Sequence, residues 1–202
     1  MNILCIDTNY AGILSHMGHN VLAPAVQPGV VSLPELLERH AFRPDLRIQR
    51  ERLNIRVILS GLAECPCPTV FISIDTHLNL YWQRYYARLF DLVLTPHLSL
   101  LRSALPSFNA AGGQGLSPGN VRRLRHHGHE LHWRDHASRG HALSFCGVVD
   151  RHRTLRKAML ELLASRYPLH RPEGRMEFAD MLDMFADSRI IPNESISREV
   201  NC

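Results

Sequence analysis

The chain has 202 residues, 45% of them hydrophobic and 21% charged, which suits one sizeable globular domain or one domain and part of another. No apolar run reaches the ~20 residues of a membrane-spanning helix, and the opening "MNILCID" has neither a basic region nor a cleavage site, so a cytoplasmic location is expected. The net charge of +4 is uneven: residues 121–157 hold nine Arg and Lys against Glu130, Asp135 and Asp150, a local net of +6. Lys157 is the only lysine. The arginines fit either a compositional bias or a segment that faces an anion through planar guanidinium forks. Five scattered cysteines, odd in number and mostly in apolar surroundings, predict reduced thiols rather than a disulfide framework.

In chain order, "MNILCIDTNYAGILSHMGHNVLAPA" reads as strand, polar turn, short helix and a second strand over 20–25. The continuous run Ile3-Leu4-Cys5-Ile6 is that of a strand covered on both faces of a parallel sheet. Gly18 and His19 are expected to close the first helix. "SLPELLERHAF" predicts a helix with Ser32 at its N-cap and Pro34 in its first turn. A short strand "PDLRIQ" follows, and "NIRVILSGLAEC" reads as a helix. "PTVFISID" is the clearest strand and "HLNLYWQRYYARLF" the clearest helix; "DLVLTP" is a strand stopped at Pro96, with a short helix from His97. Alternating strands and helices with short connections predict an α/β fold, a Rossmann-like doubly wound parallel sheet, over residues 1–105.

Residues 106–136 read as a linker, first Gly/Pro-rich and then His/Arg-rich. From 137 the pattern restarts: strand "ALSFCGVVD", helix "HRTLRKAMLELLASRY", helix "EFADMLDMFADS" and strand "RIIPNE". Residues 137–202 are thus expected to begin a second Rossmann-like domain with too few strands to complete a sheet, leaving an open edge through which copies would associate.

The chemistry-bearing residues sit past strand ends, where open α/β sheets bind ligands. Asp75 and His77 follow "FISI"; Asp75 either caps the helix behind it or joins His77 as an acid/base or hydroxyl-binding group, and Asp7 shares that ambiguity. "DTNYAGILSHMGHNV" lacks the G-x-G-x-x-G spacing and a closing acidic residue, so no dinucleotide cofactor is expected. His126, His127, His129, His132, His136 and His141 have no carboxylate or thiolate at a supporting spacing, and Cys65-Pro66-Cys67 has no second pair, so no metal is expected. In "SFCGVVDRHRTLRK", Gly147 turns into a helix start beside Arg151, Arg153 and Arg156. That is either a phosphate cradle or an ordinary strand–helix turn with a solvated basic end. Aromatics are scarce in the basic segment, only Trp133 and Phe145, so no nucleic-acid partner is expected.

Three stretches, "FISIDTHLNLYWQRYYARLFDLVLTP", "LSFCGVVDRHRTLRKAMLELL" and "MLDMFADSRIIPNESISREVN", resemble in order and spacing the spore-maturation (CgeB-type) glycosyltransferases. The resemblance covers residues 1–105 and 137–201. It implies a GT-B arrangement, with a hydroxyl acceptor on the N-terminal domain and a nucleotide-sugar donor on the C-terminal one. Gly147 and Arg153 would then lie at the donor phosphates, Asn193 and Glu194 beside the cleft, and Asp75 and His77 on the acceptor side. In that family the turn after "IPNE" leads into a helix whose carboxylate holds the donor ribose, and here the sequence stops before it. The expectation is a fragment or truncated copy of such a transferase, or a non-catalytic binding or interaction module derived from one.

Overall fold

The computed structural model describes residues 1–52, 56–104, 118–124, 139–149, 154–172 and 176–193. The described residues up to Leu124 belong to one compact unit and those from Arg139 onward to a second.

In the first unit the apolar run at the N-terminus forms β1 (Asn2–Ile6), with Ile3 to Ile6 all buried. Helix α1 (Ala11–His16) follows and ends at Gly18, whose φ of 87° is open to glycine without strain. The Gly18 amide donates to the Ser15 carbonyl and the His19 amide to the Leu14 carbonyl, the paired bonds of a Schellman closure. The chain then forms β2 (Asn20–Leu22), β3 (Gly29–Ser32) and α2 (Leu33–Arg39). The Ser32 side chain accepts from the Glu35 amide at the start of α2, as the capping pattern predicts.

Next come β4 (Leu46–Arg50) and β5 (Val57–Ser60). The helix expected over "NIRVILSGLAEC" is therefore corrected: residues 57–60 pair in parallel with β3 as a separate two-stranded sheet, and only a single 3₁₀ turn follows at Leu62–Glu64. A three-residue apolar run, Val57 to Leu59, carries no helical period, and Val57 and Ile58 favour the strand. Gly61 ends it with φ 74°, and a Cβ there would lie 2.6 Å from the Pro34 ring. β6 (Thr69–Ile72), α3 (Thr76–Tyr86), β7 (Leu92–Thr95) and α4 (Leu98–Ala104) follow as the sequence reads. β8 (Val121–Arg123) then pairs in parallel with β7, so a strand of the main sheet lies inside the stretch read as linker.

The central sheet has the order β2-β1-β4-β6-β7-β8 and every pairing is parallel. It is a Rossmann-like α/β layer. Two clusters fill its faces. One gathers Phe71, Tyr86, Phe90, Val93, Leu101 and Val121; the other gathers Leu4, Ile6, Leu33, Leu36, Val57 and Leu59. Phe71 is fully buried, with ring centroids of Phe90, Tyr86 and Trp82 at 5.2, 5.6 and 6.3 Å.

The second unit contains β9 (His141–Ser144), α5 (Thr154–Ala164), β10 (Leu169–His170), α6 (Phe178–Ala186) and β11 (Ser188–Ile190). Its described sheet is parallel with the order β10-β9-β11. A buried hydroxyl pair, Ser188 to Ser144 at 2.7 Å, joins β11 to β9.

Candidate functional site

Parallel pairing puts the C-terminal ends of all six strands of the main sheet on one edge. The strand order reverses between β1 and β4, since β2 lies on one side of β1 and every later strand of the sheet on the other. That is where a doubly wound sheet opens its crevice. On the β1 side, Asp7 holds φ 53°, a left-handed conformation that Asp adopts more readily than most residues. Two arginines, Arg50 at the end of β4 and Arg52 just past it, hold it. Arg50 Nε donates to the Asp7 carbonyl at 3.0 Å, and Arg52 pairs with the Asp7 carboxylate at 3.3 Å. Arg50 also reaches Asn9 Oδ1 at 3.3 Å.

Glu51, between these arginines, points the other way and is 5% exposed. Its Oε2 accepts from the backbone amides of Ile74 at 2.9 Å and Asp75 at 3.0 Å, and its Oε1 accepts from Asn79 Nδ2. A carboxylate from the end of β4 thus satisfies the amides at the start of α3, where the helix dipole favours it. Of the two sequence readings of Asp75, the capping one is overturned. Asp75 occupies the N-cap position yet makes no side-chain capping bond, while Glu51 holds the amides of Ile74 and Asp75 that lead into the helix. The half-buried Asp75 carboxylate has no hydrogen-bond partner among the described residues.

Behind it lies a buried hydroxyl chain. Ser73 contacts Thr76, Thr76 meets Thr95 at 2.8 Å, and Ser73 donates to Gln83 Oε1 at 2.7 Å. His77, on the first turn of α3, places Nδ1 3.2 Å from Nε2 of His97, and the rings meet edge-on with centroids 4.7 Å apart. His97 is 2% exposed, and its amide donates to Thr95 Oγ1. One nitrogen of the pair must donate and the other accept, so the contact holds a single proton between two imidazoles and couples their tautomers. The half-buried Asp75 carboxylate is a group able to position a hydroxyl and accept its proton, whereas His77 Nε2 is buried and His97 is 2% exposed, so the histidine pair stands behind it.

Sequence reasoning missed Glu51, His97 and the two arginines. The strand-end rule that singled out Asp75 also points to "QRE" after β4 and "TPH" after β7, had it been applied evenly.

In the second unit the order reverses at β9, and the segments leaving β9 and β11 bring Gly147 and Asn193 to neighbouring strand ends. Both are exposed. Gly147 faces the Phe145 ring closely enough that a Cβ would sit 2.9 Å from it. Arg156, read as a possible phosphate ligand, is 7% exposed; it donates to the Val148 carbonyl at 3.1 Å, and its guanidinium lies 5.8 Å from the Phe145 ring centroid. It braces the β9–α5 turn. Arg153, Arg151 and Glu194 lie outside the described residues, as do His126, His127, His129, His132 and His136. His141 opens β9, stacked on His170 at 3.9 Å with Asp187 3.6 Å from its Nε2. Among the described residues no three His, Cys, Asp or Glu side chains are grouped to hold a metal ion.

Two open concavities of about 690 and 580 Å³ lie at the opposite, N-terminal edge of the main sheet and share Cys65, Pro66 and Cys67. Arg47, buried there, donates to the carbonyls of Leu62, Cys65 and Cys67 and so holds the turn. Burial pushes the Cys67 thiol up, only partly offset by the Arg47 charge, so this thiol is a poor nucleophile. Volume and chemistry therefore separate, and the strand-end crevice with its Asp7, Glu51, Asp75 and His77 side chains marks the C-terminal edge as the candidate site. Comparison with protein-family models, with curated proteins and with solved structures finds no match for this chain. Among the described residues no helix is long and apolar enough to cross a membrane.

Proposed function

We propose that this chain is glycosyltransferase-like, taking a nucleotide-sugar donor on its second unit and a hydroxyl acceptor on its first. The observation that supports the reading is the parallel pairing of β9 with β11 where the order reverses, since Gly147 and Asn193 each follow one of these strand ends by three residues. A doubly wound sheet takes nucleotides at that position. Gly147 lets the backbone approach a diphosphate. Arg153 would add a charge-assisted bond, and Asn193 with Glu194 would border the sugar.

On the acceptor side, Asp75 and His77 position the hydroxyl, and His97 supports His77. In the transfer, the bond from the sugar's anomeric carbon to the diphosphate oxygen breaks and a bond to the acceptor oxygen forms. The hydroxyl proton leaves to Asp75, behind which the histidine pair supports the site, and the diphosphate departs with its electron pair. The protein's part is positioning and cationic stabilisation of the leaving group. No dinucleotide or metal is invoked.

Calorimetry of the chain against nucleoside diphosphates and their sugars tests the reading. Micromolar binding, weakened by Arg153→Ala and unchanged by Asp75→Asn, is expected. A folded chain silent across the panel would overturn the transferase reading in favour of a non-catalytic interaction module.

A further inference from the structure

Helix α3 buries an unusually polar set of residues. Its buried positions are Thr76, Asn79, Gln83 and Tyr86, with Leu80 and Trp82 packing partly buried against the core. The opposite face carries Leu78, Tyr81 and Tyr85, continued by Leu89 in the 3₁₀ turn Ala87–Leu89, at 50, 59, 58 and 57% exposure. These positions are three or four residues apart and so form one stripe along the helix. The polar residues are drawn inward by the buried hydroxyl chain and by Glu51, which explains the inner face and leaves the outer one unexplained by the fold. Single exposed apolar residues are ordinary, but four in register are a surface with a preference.

The charges beside the stripe are mostly positive, with the Asp75 carboxylate at its N-terminal end the exception. Arg56 lies 5.4 Å from the Tyr81 ring centroid and 5.2 Å from that of Trp82, and hydrogen-bonds the Tyr81 hydroxyl. Arg84 lies 4.7 Å from the Tyr85 ring centroid. No residue from 76 to 89 is acidic. Of the flanking carboxylates, Asp91 is turned to Thr69, bonding both its amide and its hydroxyl at 2.8 Å.

We propose that this face of α3 docks on an anionic lipid surface, with Leu78 and Leu89 entering the apolar boundary, the tyrosines at headgroup level, and Arg56 and Arg84 reaching the phosphates. A stripe of leucines and tyrosines bordered by arginines matches what a helix lying in an anionic bilayer interface presents to it. A second copy of this chain fits worse, because a two-fold contact would set these arginines against their own images. Single-stranded nucleic acid fits worse too, since Leu78 and Leu89 give bases nothing to stack on. The proposal is independent of the transferase reading.

The test is sedimentation of the full chain with phosphatidylcholine vesicles, with and without phosphatidylserine. Binding only when phosphatidylserine is present, weakening as salt is raised, is expected. Leu78→Ser/Leu89→Ser should lower the partition coefficient by about tenfold or more, with the circular dichroism of the parent, because both sites are exposed and far from the core. Arg84→Gln should lower it several-fold at low salt only. Three results would overturn the proposal: no sedimentation with either vesicle, sedimentation that the double serine variant leaves unchanged, or a concentration-dependent dimer or oligonucleotide complex abolished by that variant without any lipid binding.

Discussion

Replacing Glu51 separates two accounts of how α3 begins. If the residue at the N-cap position did the capping, Asp75→Ala would cost about 1 kcal/mol and Glu51→Ala only the loss of one polar side chain. The geometry reverses the order. Glu51 accepts two backbone amides and the Asn79 amide while 5% exposed, whereas Asp75 makes no capping bond. Removing the carboxylate strips charge-assisted bonds worth about 1.5–3 kcal/mol each, part of which water regains by entering the space left behind. A net loss of about 3 kcal/mol is expected for Glu51→Ala, with Asp75→Ala within about 0.5 kcal/mol of the parent. Glu51→Gln should fall between, because its amide oxygen still accepts but its NH₂ opposes another donor.

The assay is urea unfolding followed at Trp82, which packs on the Phe71 cluster, in a Trp133→Phe background so that one fluorophore reports the first unit. The midpoint should shift for Glu51→Ala without a change in slope. A destabilised Asp75→Ala beside a neutral Glu51→Ala would refute the assignment, as would equal losses for both.

Four further outcomes are expected. Tyr86 donates to Gln49 Oε1 and accepts from the Leu59 amide, both at 2.8 Å, and burial raises its phenol from the usual 10 to about 12. The unfolded chain then loses this proton first, so the stability it contributes is complete below pH 10 and declines between pH 10 and about 12, by about 1–3 kcal/mol in total; urea midpoints across that range should fall more steeply in the parent than in Tyr86→Phe, where the Cys5 thiol, raised by burial to about 11, still contributes a decline. Phe71→Ala removes the ring on which three other aromatic rings converge and should cost about 3–5 kcal/mol by the same urea assay. Gly61→Ala meets both a φ of 74° and the Pro34 ring, and should cost about 1–3 kcal/mol. In contrast, Gly12→Ala meets nothing within 4 Å and should be neutral or slightly stabilising.

What the sequence made legible were the elements with local signals. The buried run at Ile3–Ile6, the Ser32 and Glu35 capping pair, the Gly18 closure and the β6–α3–β7 succession were all readable from neighbouring residues. The β3–β5 pair was not, because "VILS" has the composition of either a strand or a short helical turn until its partner "GVVS" is known. β8 was hidden for a different reason: it has one buried apolar residue, Val121, and two exposed arginines within a stretch rich in glycine and basic residues. At the site, Asp75 and His77 were found by their position after a strand. Their supports, Glu51 and His97, come from other strands 23 to 28 and 20 residues distant in sequence, and no local pattern announces such partners.

Those two arginines also bear on how the molecule avoids aggregation. Among the described residues β8 is an edge of the six-stranded sheet, with its backbone groups facing away from β7 open to another strand. Arg122 and Arg123 are both exposed there. A second copy approaching in strand-to-strand pairing would bring like charges together along the new ladder, and the three-residue length gives it few bonds to gain in return. The first two charges of the basic segment thus discourage fibre-like growth, and their replacement by valine or threonine would turn this border into an adhesive one.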